Sequence, residues 1–109
     1  MNTKKLFTVS MLCVCLSAQA EFKDGNTLLN DMNGIAVNQM NALGYVTGVA
    51  DALMRITYCP PYSISAGQVH DMVKQYLEQF PANRHNTADR IIGHVLKSAW
   101  PCAQRGQNL

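Results

Sequence analysis

The segment that decides the fold is "SISAGQVHDMVKQYLEQFP", residues 63–81. Ser65 and Gln68 have the spacing of a capping box, in which the Ser hydroxyl accepts from the Gln68 amide and the Gln side chain returns to the Ser amide. Apolar residues then recur every three or four positions, and polar residues fill the opposite side. Pro81 ends the pattern. The segment therefore predicts an amphipathic helix whose inward positions are Val69, Met72, Val73, Tyr76, Leu77 and Phe80.

The segments on either side continue the helical pattern. An Asn86 or Thr87 cap precedes a last helix that ends before Pro101, and residues 24–32 predict a short first helix with Leu28, Leu29 and Met32 inward. No segment alternates apolar and polar residues as a strand does. The fold class expected is all-α, a small four-helix bundle-like domain. The inward positions of its last helix are Ala88, Ile91, Ile92, Val95, Leu96 and Ala99.

Residues 37–58 predict a longer helix that is apolar around much of its circumference, as a central buried helix would be. Gly44, Gly48 and Ala52 lie four residues apart and form a ridge of small side chains. Such a ridge most often lets a neighbouring helix approach closely. Asp51 has an ordinary partner in Arg55, four residues on.

The N-terminus has the pattern of a secretory signal peptide. Lys4 and Lys5 precede an apolar run, and Ala18-Gln19-Ala20 forms a cleavage site, so residues 1–20 are expected to be the signal peptide and residues 21–109 a single domain. The apolar run is roughly half the length of a membrane-spanning helix. Without Lys4 and Lys5, nine basic residues become seven and equal the seven acidic ones. The neutral domain is therefore expected to bind neither nucleic acid nor membrane after signal cleavage.

Two cysteines remain after the signal peptide, Cys59 and Cys102, each beside a proline. In an exported chain this pair predicts a disulfide. On the loop-entropy model, closing a loop of this length stabilises the fold by about 4 kcal/mol. A cysteine nucleophile is the less simple interpretation.

No catalytic or metal-binding pattern stands out. His70, His85 and His94 lack the spacing of a zinc site, and no paired carboxylates, phosphate-binding loop or nucleophile elbow occurs. The chain is therefore expected to need no cofactor, to catalyse no reaction and to act by binding.

Two loops are the candidates for binding a partner. "CPPYSIS" offers Tyr62 and Ser63 on a stiff turn, and "FPANRHNT" offers Asn83, Arg84, His85 and Asn86 between two helices. Tyr and Arg on preorganised loops are frequent interface anchors. In the alternative interpretation, Arg84 and His85 only cap helix ends and Tyr62 lies at the edge of the core.

Four stretches of the chain resemble a known family in their order and spacing: "GNTLLNDM", "ALGYVTGVADAL", "CPPYSISAGQVHDMVKQYLEQFPANRH" and "LKSAWPC". Five motifs occur within them in one order: G-Y-x-x-G-V-x-D-A-L, C-P-P, G-Q-V, Y-L-x-x-x-P-x-x-R-H and W-P-C. The chain is similar to the Rap/Tai family, immunity proteins that protect bacteria from peptidoglycan amidases of type VI secretion. The resemblance covers roughly residues 25–102.

The resemblance implies a periplasmic helical domain that binds a secreted peptidoglycan amidase, blocks its cleft and often works as a homodimer. Cys59 and Cys102 match the family's cysteines, and Gly44, Tyr45 and Gly48 its helix-packing motif. Many relatives carry a further cysteine pair where this chain has Met32 and Ala42. The first helix is therefore expected to be held by packing alone and to be the loosest element.

Two other functions fit the same composition. A periplasmic acid-stress chaperone is also small, helical, exported and held by one disulfide, and would open as its carboxylates protonate. An enzyme with an unrecognised site is the third hypothesis.

Overall fold

The computed structural model describes residues 22–103, and the expected signal peptide lies outside this range. Four helices form the fold, and each contacts the other three. Within the described range, β-type pairing is limited to isolated bridges. The predicted all-α architecture is confirmed, with the elements α1 (Gly25–Met32), α2 (Ala36–Leu53), α3 (Ala66–Gln79), a 3-10 turn (Pro81–Asn83) and α4 (Ala88–Ala99).

The core forms where the apolar stripes of the four helices meet. Each stripe follows the three-and-four spacing that places side chains on one face of a helix. The expected inward faces of α1, α3 and α4 are confirmed, except that Phe80 and Ala99 are exposed. The exposure of these two residues follows from their position, because each lies at or just beyond the last turn of its helix. The buried apolar residues of the helices are Leu28, Leu29, Met32, Ala42, Val46, Ala50, Val69, Val73, Leu77, Ala88, Ile91, Ile92 and Leu96.

Side-chain caps start two of the helices. Asp24 Oδ1 accepts from the Thr27 amide at 2.8 Å at the start of α1. This hydrogen bond favours the ionised carboxylate and lowers the pKa of Asp24. Ser65 Oγ accepts from the Gln68 amide at 3.1 Å, as predicted for α3. The return bond from the Gln68 side chain does not form, so the capping box is half complete.

The prediction of a helix to residue 58 is wrong, because α2 ends at Leu53. Arg55 has a left-handed backbone with φ 67°, and the chain turns back over residues 54–58. Tyr58 is thereby fully buried, and its hydroxyl donates to the Ala50 carbonyl at 2.8 Å. Since Arg55 lies outside the helix, the expected Asp51–Arg55 ion pair does not form in residues 22–103.

The expectation that α2 is a central helix buried around much of its circumference is also wrong. Its fully buried residues are Ala42, Val46 and Ala50, which form one stripe. On other sides Met40 is 72% exposed and Val37 is 56% exposed. Three neighbouring helices of this size cover only part of a helix surface, so α2 keeps an apolar face toward solvent.

A disulfide joins the turn after α2 to the end of α4. The predicted Cys59–Cys102 bond is confirmed and closes a sequence separation of 43 residues. Beside it, the Cys59 amide donates to the Trp100 carbonyl at 2.8 Å. Backbone pairing and a covalent bond therefore hold this end of the bundle together.

The start of α1 is held by backbone pairing as well as by packing. The Gly25 amide donates to the Asn86 carbonyl at 3.0 Å, and the Asn26 amide donates to the Arg84 carbonyl at 3.1 Å. A Cβ atom on Gly25 would lie 2.9 Å from the Arg84 carbonyl oxygen, so this approach requires glycine. The expectation that packing alone holds α1 is corrected by these bonds.

We predict that Gly25→Ala destabilises the fold by about 2 kcal/mol, because the added methyl group overpacks a backbone contact. Thermal and urea unfolding would measure the change. Gly67→Ala is the matched control, since a Cβ there meets no atom within 4 Å. Equal stability of the two variants would show that the close approach at Gly25 is not a constraint.

We predict that Tyr58→Phe lowers stability by about 1 kcal/mol at neutral pH by removing the buried hydrogen bond. Burial raises the pKa of Tyr58 above 10.0, with a further contribution from Asp51. The neutral hydroxyl therefore stabilises the fold fully below pH 10, and this contribution is lost as pH rises through the folded pKa. The wild-type protein should lose stability above pH 10 more steeply than Tyr58→Phe, measured by urea unfolding from pH 8 to 11. Tyr62→Phe, on an exposed ring, should match the wild type.

Candidate partner-binding surface

Residues 83–86, called the 83–86 loop, run from the last residue of the 3-10 turn toward α4. Hydrogen bonds hold this loop on both sides. Arg84 Nε donates to the Leu77 carbonyl at 2.6 Å, which caps the C-terminal end of α3. His85 Nδ1 lies 2.7 Å from the Ala82 carbonyl oxygen. Because a carbonyl only accepts, this nitrogen carries the proton. Arg84 and His85 thus cap the ends of α3 and of the 3-10 turn, as one of the two interpretations of the sequence expected. Their hydrogen bonds also fix the shape of the loop.

A polar groove of about 390 Å³ lies beside the 83–86 loop. Asn83 Nδ2 donates to the Tyr76 hydroxyl at 3.1 Å, and the Tyr76 ring meets the His94 ring edge to face, with centroids 5.5 Å apart. Asn86 and Arg90 complete its polar lining. Two residues predicted to bind a partner, Asn83 and Asn86, therefore line this groove together. The sequence did not assign its other polar residues, Tyr76, Arg90 and His94, to binding. The available signal was the four-residue spacing of Asn86, Arg90 and His94.

Tyr62 and Ser63 lie at the other end of the bundle. The Tyr62 ring packs edge to face on Trp100, with centroids 6.3 Å apart, yet stays 58% exposed. Helix α3 separates this turn from the 83–86 loop, and its 14 residues span about 21 Å. The structure therefore does not combine the two predicted loops into one site.

A second groove, the α2–α4 groove, lies between α2 and α4 next to the polar groove and has a volume of about 500 Å³. Val49, Leu53 and Gly93 form its apolar floor. The rim carries the polar side chains of α4. Arg90 and His94 also line the polar groove, so these two exposed residues, called the crest of α4, separate the two grooves. The rim residues are Asp89, Arg90, His94 and Lys97.

The three residues of the helix-packing motif, Gly44, Tyr45 and Gly48, lie on two different sides of α2. Tyr45 is half-buried against the core, and burial raises the pKa of its hydroxyl, as does the Asp89 carboxylate. Lys23 Nζ lies 5.4 Å from the centre of its ring. A Cβ on Gly44 or Gly48 would meet no atom within 4 Å. The close helix approach expected at these glycines is therefore absent within residues 22–103, because their side of α2 faces away from α1, α3 and α4.

None of the helices in the described range is long and apolar enough to cross a membrane. No curated protein matches the chain. Residues 24–102 match a family described as Rap1a immunity proteins. This range runs from the cap of α1 to the second cysteine of the disulfide and includes all four helices. The resemblance found in the sequence motifs is confirmed, and the chain belongs to the Rap1a immunity protein family.

Proposed function

We propose that the protein is a periplasmic immunity protein that binds a type VI secretion peptidoglycan amidase and inhibits it by occluding its active-site cleft. The supporting observation is the family match over the whole helical domain. The signal peptide expected at residues 1–20 would deliver the domain to the compartment where such an amidase acts. The protein would act as a binding partner with no turnover of its own.

The 83–86 loop is the part of this surface that best suits a cleft. His85 and Asn86 are exposed at its tip, while the Arg84 and His85 hydrogen bonds fix its backbone. A loop that is already ordered loses little conformational entropy on binding. An amidase cleft accommodates peptide groups, so amide and imidazole side chains on a fixed loop offer matching hydrogen-bonding groups. Tyr62 and Ser63, at the other end of α3, would lie outside this contact.

We predict that the domain of residues 21–109 abolishes peptidoglycan cleavage by its cognate amidase at equimolar concentration. Asn86→Trp should weaken the complex by tenfold or more, about 1.4 kcal/mol, because a large side chain at the loop tip obstructs the cleft contact. Binding would be measured by calorimetry and cleavage by release of peptidoglycan fragments.

Ser63→Trp places the same bulk at the opposite end and should leave inhibition unchanged. The reverse pattern would assign occlusion to the turn that carries Tyr62. If none of a broad panel of secreted amidases is bound or inhibited, the immunity proposal itself fails.

We also propose that two copies associate through the solvent face of α2. Val37, Met40, Gly44 and Gly48 are exposed on this face, and no charged residue occurs in the helix before Asp51. A two-fold interface places identical surfaces against each other, so a face without charge avoids like-charge repulsion. The two glycines let the paired helices approach closely.

We predict that Gly44→Glu shifts the protein toward monomer, because it sets like charges opposite each other in the pair. The fold itself should be unharmed, since a Cβ at Gly44 meets no atom and glycine is unfavourable within a helix. Sedimentation equilibrium would measure the association. Gln75→Glu, which adds the same charge to the exposed side of α3, is the control. A monomeric wild-type protein, or an unchanged dimer in Gly44→Glu, would contradict this interface.

A further inference from the structure

The α2–α4 groove has an apolar floor that depends on a glycine inside a helix. Gly93 is buried in the middle of α4, where glycine costs about 1 kcal/mol relative to alanine. A Cβ there would lie 3.3 Å from Leu53 Cδ1 and 3.9 Å from Thr57 Cγ2. The absence of a side chain therefore lets α4 lie close to the end of α2, and the Gly93 backbone itself forms part of the groove floor.

The rim of this groove is positively charged, although the domain as a whole is neutral. Arg90 and Lys97 lie seven residues apart on the exposed side of α4, with His94 between them. Neither Arg90 nor Lys97 belongs to an ion pair within residues 22–103, where the pairs are Lys23–Asp31 and His70–Asp71. Asp89 is the one acidic residue on this rim.

The groove is continuous with the surface assigned to the effector. Arg90 and His94 line both the polar groove beside the 83–86 loop and the α2–α4 groove. A partner that covers the loop and the crest of α4 therefore reaches the rim of the α2–α4 groove without a gap.

We propose that the α2–α4 groove receives an apolar side chain carried on an acidic segment of the effector. This inference rests on the proposed function and adds the chemistry of the partner. An apolar side chain would cover Val49, Leu53 and Gly93, and flanking carboxylates would meet Arg90 and Lys97. Buried apolar anchors supply most of the binding energy at interfaces, whereas a complementary charged rim mainly raises the association rate.

Lys97 separates this inference from the assignment of the loop, because it lines the α2–α4 groove and not the polar groove. With the cognate amidase, Lys97→Glu should slow association by about tenfold and reduce its dependence on salt. Lys74→Glu, the same change on α3 and away from both grooves, should match the wild type. Ala52→Trp, which fills the groove from exposed α2, should raise the dissociation rate, and Ala99→Trp on the other side of α4 should not.

A second measurement needs no effector. The ¹⁵N-labelled domain would be titrated with a six-residue peptide whose central Leu-Phe is flanked by two acidic residues on each side. Amide shifts centred on Ala52, Thr57 and Gly93, reduced in Lys97→Glu and absent with a peptide carrying lysines instead, support the proposal. No shift with either peptide, or shifts centred elsewhere, overturn it. Shifts of the Thr57 and Gly93 amides on concentrating the protein alone, without shifts at Gly44 and Gly48, would assign the groove to a second copy and would also overturn it.

The outcomes separate the groove assignment from the immunity function. Normal binding and inhibition by both Lys97→Glu and Ala52→Trp would overturn the groove assignment while the immunity function stands. Groove-centred peptide shifts in a protein that inhibits no amidase would support the groove and remove the amidase as its occupant.

Discussion

The turn after α2 is the constraint on which the rest of the bundle depends. Tyr58 is fully buried and donates to the Ala50 carbonyl, so the chain must reverse immediately after Leu53. The left-handed Arg55 makes this reversal within five residues. Cys59 is thereby placed where it pairs with Trp100 through the backbone and with Cys102 through sulfur. The ends of α2 and α4, and hence the direction in which α3 starts, are set by this corner.

The opposite end of the bundle is fixed by different means. There the start of α1 pairs with the backbone of the 83–86 loop, and Gly25 permits the approach. Arg84 reaches back to the last turn of α3. The loop is thus held by α1, by α3 and by the 3-10 turn, whose Ala82 carbonyl accepts from His85, although no disulfide joins it to the rest of the domain. A loop with this many hydrogen bonds can present side chains to a partner without first being ordered, which is what an inhibitor of a cleft requires.

The distribution of apolar surface connects the fold to its proposed role. A domain this small buries a limited fraction of its chain, and the remaining apolar residues have to lie somewhere on the surface. Here two apolar areas adjoin α2: its uncharged face, with exposed Val37 and Met40, and the floor of the α2–α4 groove. Phe22, Ile56, Tyr62 and Phe80 are exposed elsewhere. Contiguous exposed apolar surface marks an interaction site more often than single exposed apolar residues do. The two areas lie on different sides of α2, so a second copy and an effector could occupy them together.

The sequence by itself determined the helices and the disulfide. Periodicity at three and four residues identifies buried faces in α1, α3 and α4 because it reports local geometry. Of the four cysteines, the two that follow the expected signal peptide leave only one intramolecular pairing. It also identified the family, through motifs that span the domain. The sequence misled at α2, where an apolar composition predicted a central helix buried around much of its circumference and a helix that continued beyond Leu53. Only the tertiary structure decided that Gly44 and Gly48 face away from the other helices, that Tyr62 and Asn86 lie at opposite ends, and that Arg90 and Lys97 border an apolar groove. The reason is physical: those facts depend on how helices distant in sequence are placed against one another, and local periodicity carries no information about that placement.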